Sequence, residues 1–110
     1  MKYVCLVYLE GEKMRSVPDR ECMDCGNAFR RDGVMTGGEA LQPVATAATV
    51  RIRDGRLSVT DGPFAETKEQ LAGFYLLEAA NMEEAIQLAA KIPPAREGSI
   101  EVRPVRDLEP

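Results

Sequence analysis

The sequence predicts a mixed α+β domain, on three observations. Two segments place apolar residues at helical spacing, several others run extended and apolar, and the two kinds alternate in the order strand, helix, strands, strand, helix, strand. The 110 residues suit one domain, 1–110, and leave no room for a second.

Lys2 to Leu9 is the first strand. Tyr3, Cys5, Val7 and Leu9 fall on one face and Val4, Leu6 and Tyr8 on the other, the pattern of a central strand buried on both sides. Ser16, with Asp19 three residues on and Pro18 in the first turn, resembles a helix start. Cys22, Cys25 and Phe29 follow at i, i+3 and i+7, and Gly33 supplies the stop. Val34 to Pro43 holds Gly37-Gly38 and reads as an irregular strand or bulged edge. Ala48, Val50 and Ile52 then alternate with Thr49, Arg51 and Arg53 up to Asp54-Gly55, a two-residue hairpin signal. Pairing across that turn sets Ile52 opposite Leu57, Val50 opposite Val59 and Arg51 opposite Ser58, so apolar meets apolar.

Leu71 to Ala79 is the next strand, apolar almost throughout. Asn81 and Glu84 form a capping-box pattern for a second helix. Its apolar stripe is Met82, Ala85, Ile86, Ala89 and Ala90, and Pro93-Pro94 ends it. Ser99 to Val105 is the last strand, with Pro104 marking an edge or an end. This order is the ferredoxin-like plan enlarged by a β-hairpin. Both helices of that plan cover one face of the sheet, yet the first strand and the Phe74 strand are apolar on both. A second copy, sheet against sheet in an isologous homodimer, is the economical cover.

Composition narrows the chemistry. The chain has 14 basic and 18 acidic side chains, a formal charge of −4, and no histidine. Without imidazole there is no Ser-His or Cys-His pair and no histidine metal ligand. The acidic balance speaks against nucleic acid, which needs clustered Lys and Arg. The first apolar run is far short of the ~20 residues that cross a bilayer, so neither a leader nor a membrane partner is expected. Three cysteines are too sparse for a secreted disulfide framework, which points to the cytoplasm. Cys22 and Cys25 share a helical stripe with Phe29 and read as small core residues. With no histidine and only Cys5 left over, they cannot complete a four-ligand zinc site, so no metal or cofactor is expected.

The most distinctive stretch is Thr60-Asp61-Gly62-Pro63-Phe64-Ala65-Glu66-Thr67-Lys68-Glu69. Asp-Gly-Pro is turn chemistry: the carboxylate can accept from downstream backbone N–H groups, Gly permits a positive φ, and Pro fixes the next residue. Phe64 is thrown back onto the sheet or over a cleft mouth. A capped loop without function is the plain alternative. Arg51 lies on the strand face opposite Val50 and Ile52, as Tyr8 lies opposite Val7 and Leu9. If those faces line an interior, Arg51 can hold an anionic group and Tyr8 a hydroxyl or carbonyl. Otherwise Arg51 pairs at a dimer seam and Tyr8 is core.

This run resembles the signature of the DGPF-type, YCII-related proteins. The opening Met1-Lys2-Tyr3-Val4 strand, Thr49-Val50-Arg51, Gly73-Phe74-Tyr75 and Ile100-Glu101-Val102-Arg103-Pro104 agree with it. The resemblance implies a dimeric α+β barrel of ferredoxin-like subunits, a bacterial protein of uncharacterised function, and a link to extracytoplasmic-function sigma factors. The broader group resembles barrels with a proposed histidine–aspartate pair in a cleft. That pair cannot be carried over to a chain without histidine; only its acidic half has counterparts here, Asp61 foremost. The expectation is a homodimer binding a small organic ligand, anionic or carbonyl-bearing. Asp61 and Glu66 are the candidate acid–base carboxylates, and Tyr8, Arg51, Gly62, Pro63, Phe64 and Lys68 the candidate binding residues. A carboxylate base needs its pKa raised by burial or a like-charged neighbour. Whether turnover occurs stays open, and the alternative is a non-catalytic interaction or regulatory module.

Overall fold

A computed structural model describes all of residues 1–110. Six strands form: β1 (Lys2–Glu10), β2 (Met35–Ala40), β3 (Ala48–Arg53), β4 (Arg56–Asp61), β5 (Glu69–Glu78) and β6 (Ser99–Pro104). Two helices, α1 (Asp19–Arg31) and α2 (Met82–Ala89), join them. β2, β5, β1 and β6 make one antiparallel sheet in that order, while β3 and β4 pair only with each other. With the hairpin set aside, this is the ferredoxin-like arrangement that the element order predicts. The bulged edge is present as β2, whose register shifts between Met35 and Gly37. Pro104 closes β6 at the opposite edge, where no ladder partner needs its missing N–H.

The core lies between the sheet and the helices. Cys5 and Val7 of β1, Leu77 of β5, Phe29 of α1, Ala89 of α2 and Ile92 form its main cluster. Tyr3, Ala79 and Ala85 form a smaller one beside it. The two-sided pattern of β1 is reproduced residue by residue: Tyr3, Cys5, Val7 and Leu9 are buried, while Val4, Leu6 and Tyr8 on the far face are only half-buried. Register places Val4 beside Leu76, Leu6 beside Phe74 and Tyr8 beside Leu71 on this far face, which no helix covers.

Helix ends follow local rules with one exception. Gly33, at φ +72°, ends α1 with Gly33 N–H donating to the Arg30 carbonyl and Val34 N–H to that of Phe29, a Schellman pair. Asn81 caps α2 by accepting from Glu84 N–H at 2.9 Å, and Glu84 accepts in return from Ala80 N–H at 3.2 Å. Ser16 does not cap α1. Its hydroxyl donates to the Lys13 carbonyl at 2.8 Å, closing the tighter turn that precedes the helix, and Pro18 takes the cap position without a side-chain bond.

The stripe of α2 also differs from expectation. Ala85 and Ala89 are buried, but Ile86 is 53% exposed and Ala90 is exposed, while Leu88 packs inward. At 100° per residue the buried arc is turned by about 70° towards Leu88. That rotation seats Leu88 and carries Ile92 into the core at 1% exposure, two large side chains in exchange for one and a methyl.

The hairpin has the predicted register throughout: Val50 with Val59, Arg51 with Ser58, Ile52 with Leu57. Asp54 and Gly55, at φ +52° and +74°, make the turn. Every hairpin residue except Thr49 is exposed, including Val50, Ile52, Leu57 and Val59 on one face. The hairpin is thus an arm that buries its apolar face against nothing within its own chain. The radius of gyration reflects this, 15.6 Å against about 13 Å for a compact chain of this length.

Candidate functional site

The open sheet face and the loop after β4 enclose a cleft of about 620 Å³. Its floor is Tyr8 and Leu71, its walls the segment from Leu41 to Thr49 on one side and Pro63, Phe64, Ala65 and Thr67 on the other. A β-bulge sits beside it: Val7 faces Gly73 but Tyr8 faces Leu71, so Ala72 is left without a partner. Such an extra residue re-aims the side chains next to it.

The loop is held by its backbone. Gly62 takes φ +98°, its N–H donates to the Ala47 carbonyl at 2.7 Å, and its own carbonyl accepts from Thr49 Oγ1 at 2.8 Å. A positive φ there explains glycine, and Pro63 then directs Phe64 outward to 78% exposure at the cleft mouth. The turn acceptor is therefore the Gly62 carbonyl, served by Thr49, and not the Asp61 carboxylate that Asp-Gly-Pro suggests. Thr67 closes the far end of the loop, its hydroxyl donating to the Glu69 carbonyl at 2.5 Å.

The candidate residues divide. Tyr8, Pro63 and Phe64 converge on the cleft, and Gly62 shapes the loop that carries two of them. Asp61 ends β4 opposite Ala48, exposed and outside the cleft lining, and Glu66 is exposed too. No bond within the chain holds either carboxylate. Arg51 stands midway along the arm, exposed and outside the lining. Lys68 lies outside it as well, its Nζ 3.5 Å from Glu10 Oε1. Glu69 beside it is engaged by Ser99, whose hydroxyl donates to Glu69 Oε1 at 2.6 Å.

The lining contains no charged side chain. Its polar members are Tyr8, Gln42, Thr46, Thr49, Thr67 and Gln70. The three threonine hydroxyls already donate to carbonyls, to Pro43 in the case of Thr46. The Tyr8 hydroxyl has no partner in the chain and is the free donor of the floor. The wall from Leu41 to Thr49 escapes sequence reasoning. Pro43 before Val44-Ala45-Thr46 signals a turn, and a short 3₁₀ turn forms there, but nothing in the spacing says that it meets Phe64 across space.

The thiols take no part. Burial pushes Cys5 up to about 11 and raises Cys22 and Cys25, so all three stay protonated near neutrality. No cluster of three or more Cys, Asp or Glu side chains has the geometry to hold a metal ion. No helix is long and apolar enough to cross a membrane.

A ferredoxin-like sheet with an added hairpin, and a Gly-Pro-Phe loop over one end of its uncovered face, defines a small α+β protein with an uncharged cleft. The chain belongs to the YCII-related domain family, whose model matches residues 1–109. It is 49% identical over 72 residues to an uncharacterised protein of Rhizobium meliloti (strain 1021). That alignment covers 64% of this chain and 58% of the relative's length.

Proposed function

We propose that this chain acts as a homodimer that binds a small, uncharged, carbonyl- or hydroxyl-bearing organic molecule in the cleft between Tyr8 and Phe64. The observation that carries the reading is the cleft itself. Its volume of about 620 Å³ lies within the usual range for small-molecule sites, and its wall is apolar with a few hydrogen-bonding groups and no charge. An anion would leave water for a lining without a cation, which costs several kcal/mol or more. A neutral carbonyl would meet the Tyr8 hydroxyl, and the ring of Phe64 offers a face to an apolar body.

This reading gives Asp61 and Glu66 no acid–base step, since both sit in water outside the cleft. Dimerisation is supported by surface area. The chain exposes 7876 Å², against about 6,000 Å² for a compact protein of 12.1 kDa. The excess exceeds the roughly 800 Å² per partner of a standard interface.

The test is a matched pair of probes, benzamide and benzoate, titrated into isotopically labelled protein. Benzamide is expected to shift amide resonances of residues 8, 42–49 and 64–67 and to bind at least tenfold more weakly to Phe64→Ala. Asp61→Asn and Glu66→Gln are expected to leave its affinity within about twofold. Tighter binding of benzoate, or loss of benzamide binding in the two carboxylate variants, would overturn the reading.

A further inference from the structure

A second cavity, of about 380 Å³, lies on the opposite side of the sheet, between α1 and the β2–β5 edge. It shares only Leu41 with the lining of the first cleft. Three of the chain's five methionines, Met14, Met23 and Met35, line it, with Val17 and Cys22 among the other apolar members. Asp19, Arg30 and Glu39 are the charged members, of mixed sign. Methionine is the side chain best able to reshape itself around an apolar guest.

Two residues of the wall are hard to explain by packing alone. Gly26 sits in the middle of α1, where glycine is a poor helix former. Its backbone is ordinary, and a methyl group added there would meet nothing closer than Arg30 Nη1 at 3.5 Å and Met35 Sδ at 3.7 Å, ordinary contact distances. Neither conformation nor crowding demands glycine, and its missing side chain leaves the cavity open. The second residue is Tyr75. Its ring meets Phe29 edge to face at 6.1 Å, but its hydroxyl has no hydrogen-bond partner in the chain. No sealed side-chain polar atom in this fold goes unpartnered, so that hydroxyl keeps accessible surface, and Tyr75 is among the residues that line the cavity. Burial raises its pKa, which keeps it a donor through the physiological range.

We propose that the cavity between α1 and the β2–β5 edge is a second ligand site, taking a small neutral molecule with an apolar body and one carbonyl or ether acceptor for the Tyr75 hydroxyl. The assignment is independent of the first cleft, whose lining contains no methionine.

The independence makes the test clean. Protein labelled with ¹³C at its methionine methyls is titrated with acetophenone, a neutral aromatic ketone. Met14, Met23 and Met35 are expected to shift and saturate together, while Met1 and Met82, outside the cavity, stay still. Tyr75→Phe, which keeps the ring and removes the donor, is expected to weaken binding about fivefold, the value of one ordinary hydrogen bond. Gly26→Ala is expected to weaken binding while raising the thermal midpoint, so that loss of affinity cannot be loss of fold. Uniform shifts at all five methyls, none at the three, or unchanged affinity in Tyr75→Phe would overturn the proposal. None of these outcomes bears on benzamide binding at the other cleft.

Discussion

At the scale of single residues, glycines separate into those the fold requires and those it merely tolerates. A Cβ on Gly98 would lie 2.0 Å from the Tyr8 carbonyl oxygen and 3.1 Å from its carbon, where β6 begins against β1. The obstacle is backbone in the middle of the sheet and cannot swing aside. Gly98→Ala is expected to destabilise by about 3 kcal/mol, while Gly26→Ala gains about 1 kcal/mol from helix propensity. Urea melts of the two variants at one protein concentration check both signs. Charge acts at this scale too. Arg96 donates through both Nη atoms to the Glu21 carboxylate at 2.8 Å, tying the segment after α2 to α1. Those bonds hold the Glu21 carboxyl below its ordinary 4.5. A group depressed in the folded state contributes its stability above the unfolded pKa and loses it as pH falls through the folded one. The contribution is therefore lost in acid, below about pH 4.5, and Arg96→Ala is expected to lower the melting temperature by a constant amount between about pH 6 and 8 and to converge with the parent as pH falls. Both side chains are exposed, so the change is small.

Elements were legible where their signals are local. The β3–β4 register follows from a period of two and one Asp-Gly turn, and all three pairings read from the sequence recur. The Gly33 stop and the Asn81 cap are equally short-range, and Asn81→Ala is expected to cost about 1 kcal/mol, measured by thermal melting. Legibility fails where tertiary packing arbitrates. In α2 the stripe Met82-Ala85-Ile86-Ala89-Ala90 fits the helical template, but so does an arc through Leu88, and the sheet selects the latter because Ile92 follows it into the core. Ser16 and Asp19 have cap spacing, yet a competing turn ending at Ser16 takes the hydroxyl first. The cleft shows the same boundary. Gly62, Pro63 and Phe64 stand out by composition, whereas the wall from Gln42 to Thr49 consists of common residues made relevant only by the path of the chain.

At the scale of the whole molecule, the two surfaces without partners are the ones the proposed dimer would bring together. One is the arm's apolar face, where Ile52 is 66% exposed, and the other is the sheet face of Val4, Leu6, Tyr8, Phe74 and Leu76. A two-stranded hairpin is at best marginally stable alone in water, so an isolated arm would be expected to fray. The arm carries Arg51, Arg53 and Arg56, while Glu39 stands at the β2 edge of the sheet in register with Phe74; at the other edge Glu101, beside Leu6, is already engaged by Arg103. The uncovered apolar area of both surfaces points to a second copy. Sedimentation at micromolar concentration is expected to give twice the chain mass of 12.1 kDa, with a melting temperature that rises with concentration. Ile52→Asp and Leu6→Lys each place a charge in one of the two faces, and both are expected to sediment as monomers. Neither residue touches the core under α1 and α2, and the ammonium introduced by Leu6→Lys would stand beside Glu101. The far-ultraviolet circular dichroism of both variants should therefore match the parent. Parent protein that sediments as a monomer would leave the arm's four aliphatic side chains in water and refute the dimer. Variants that stay dimeric would move the interface to another face and separate it from the cleft at Tyr8.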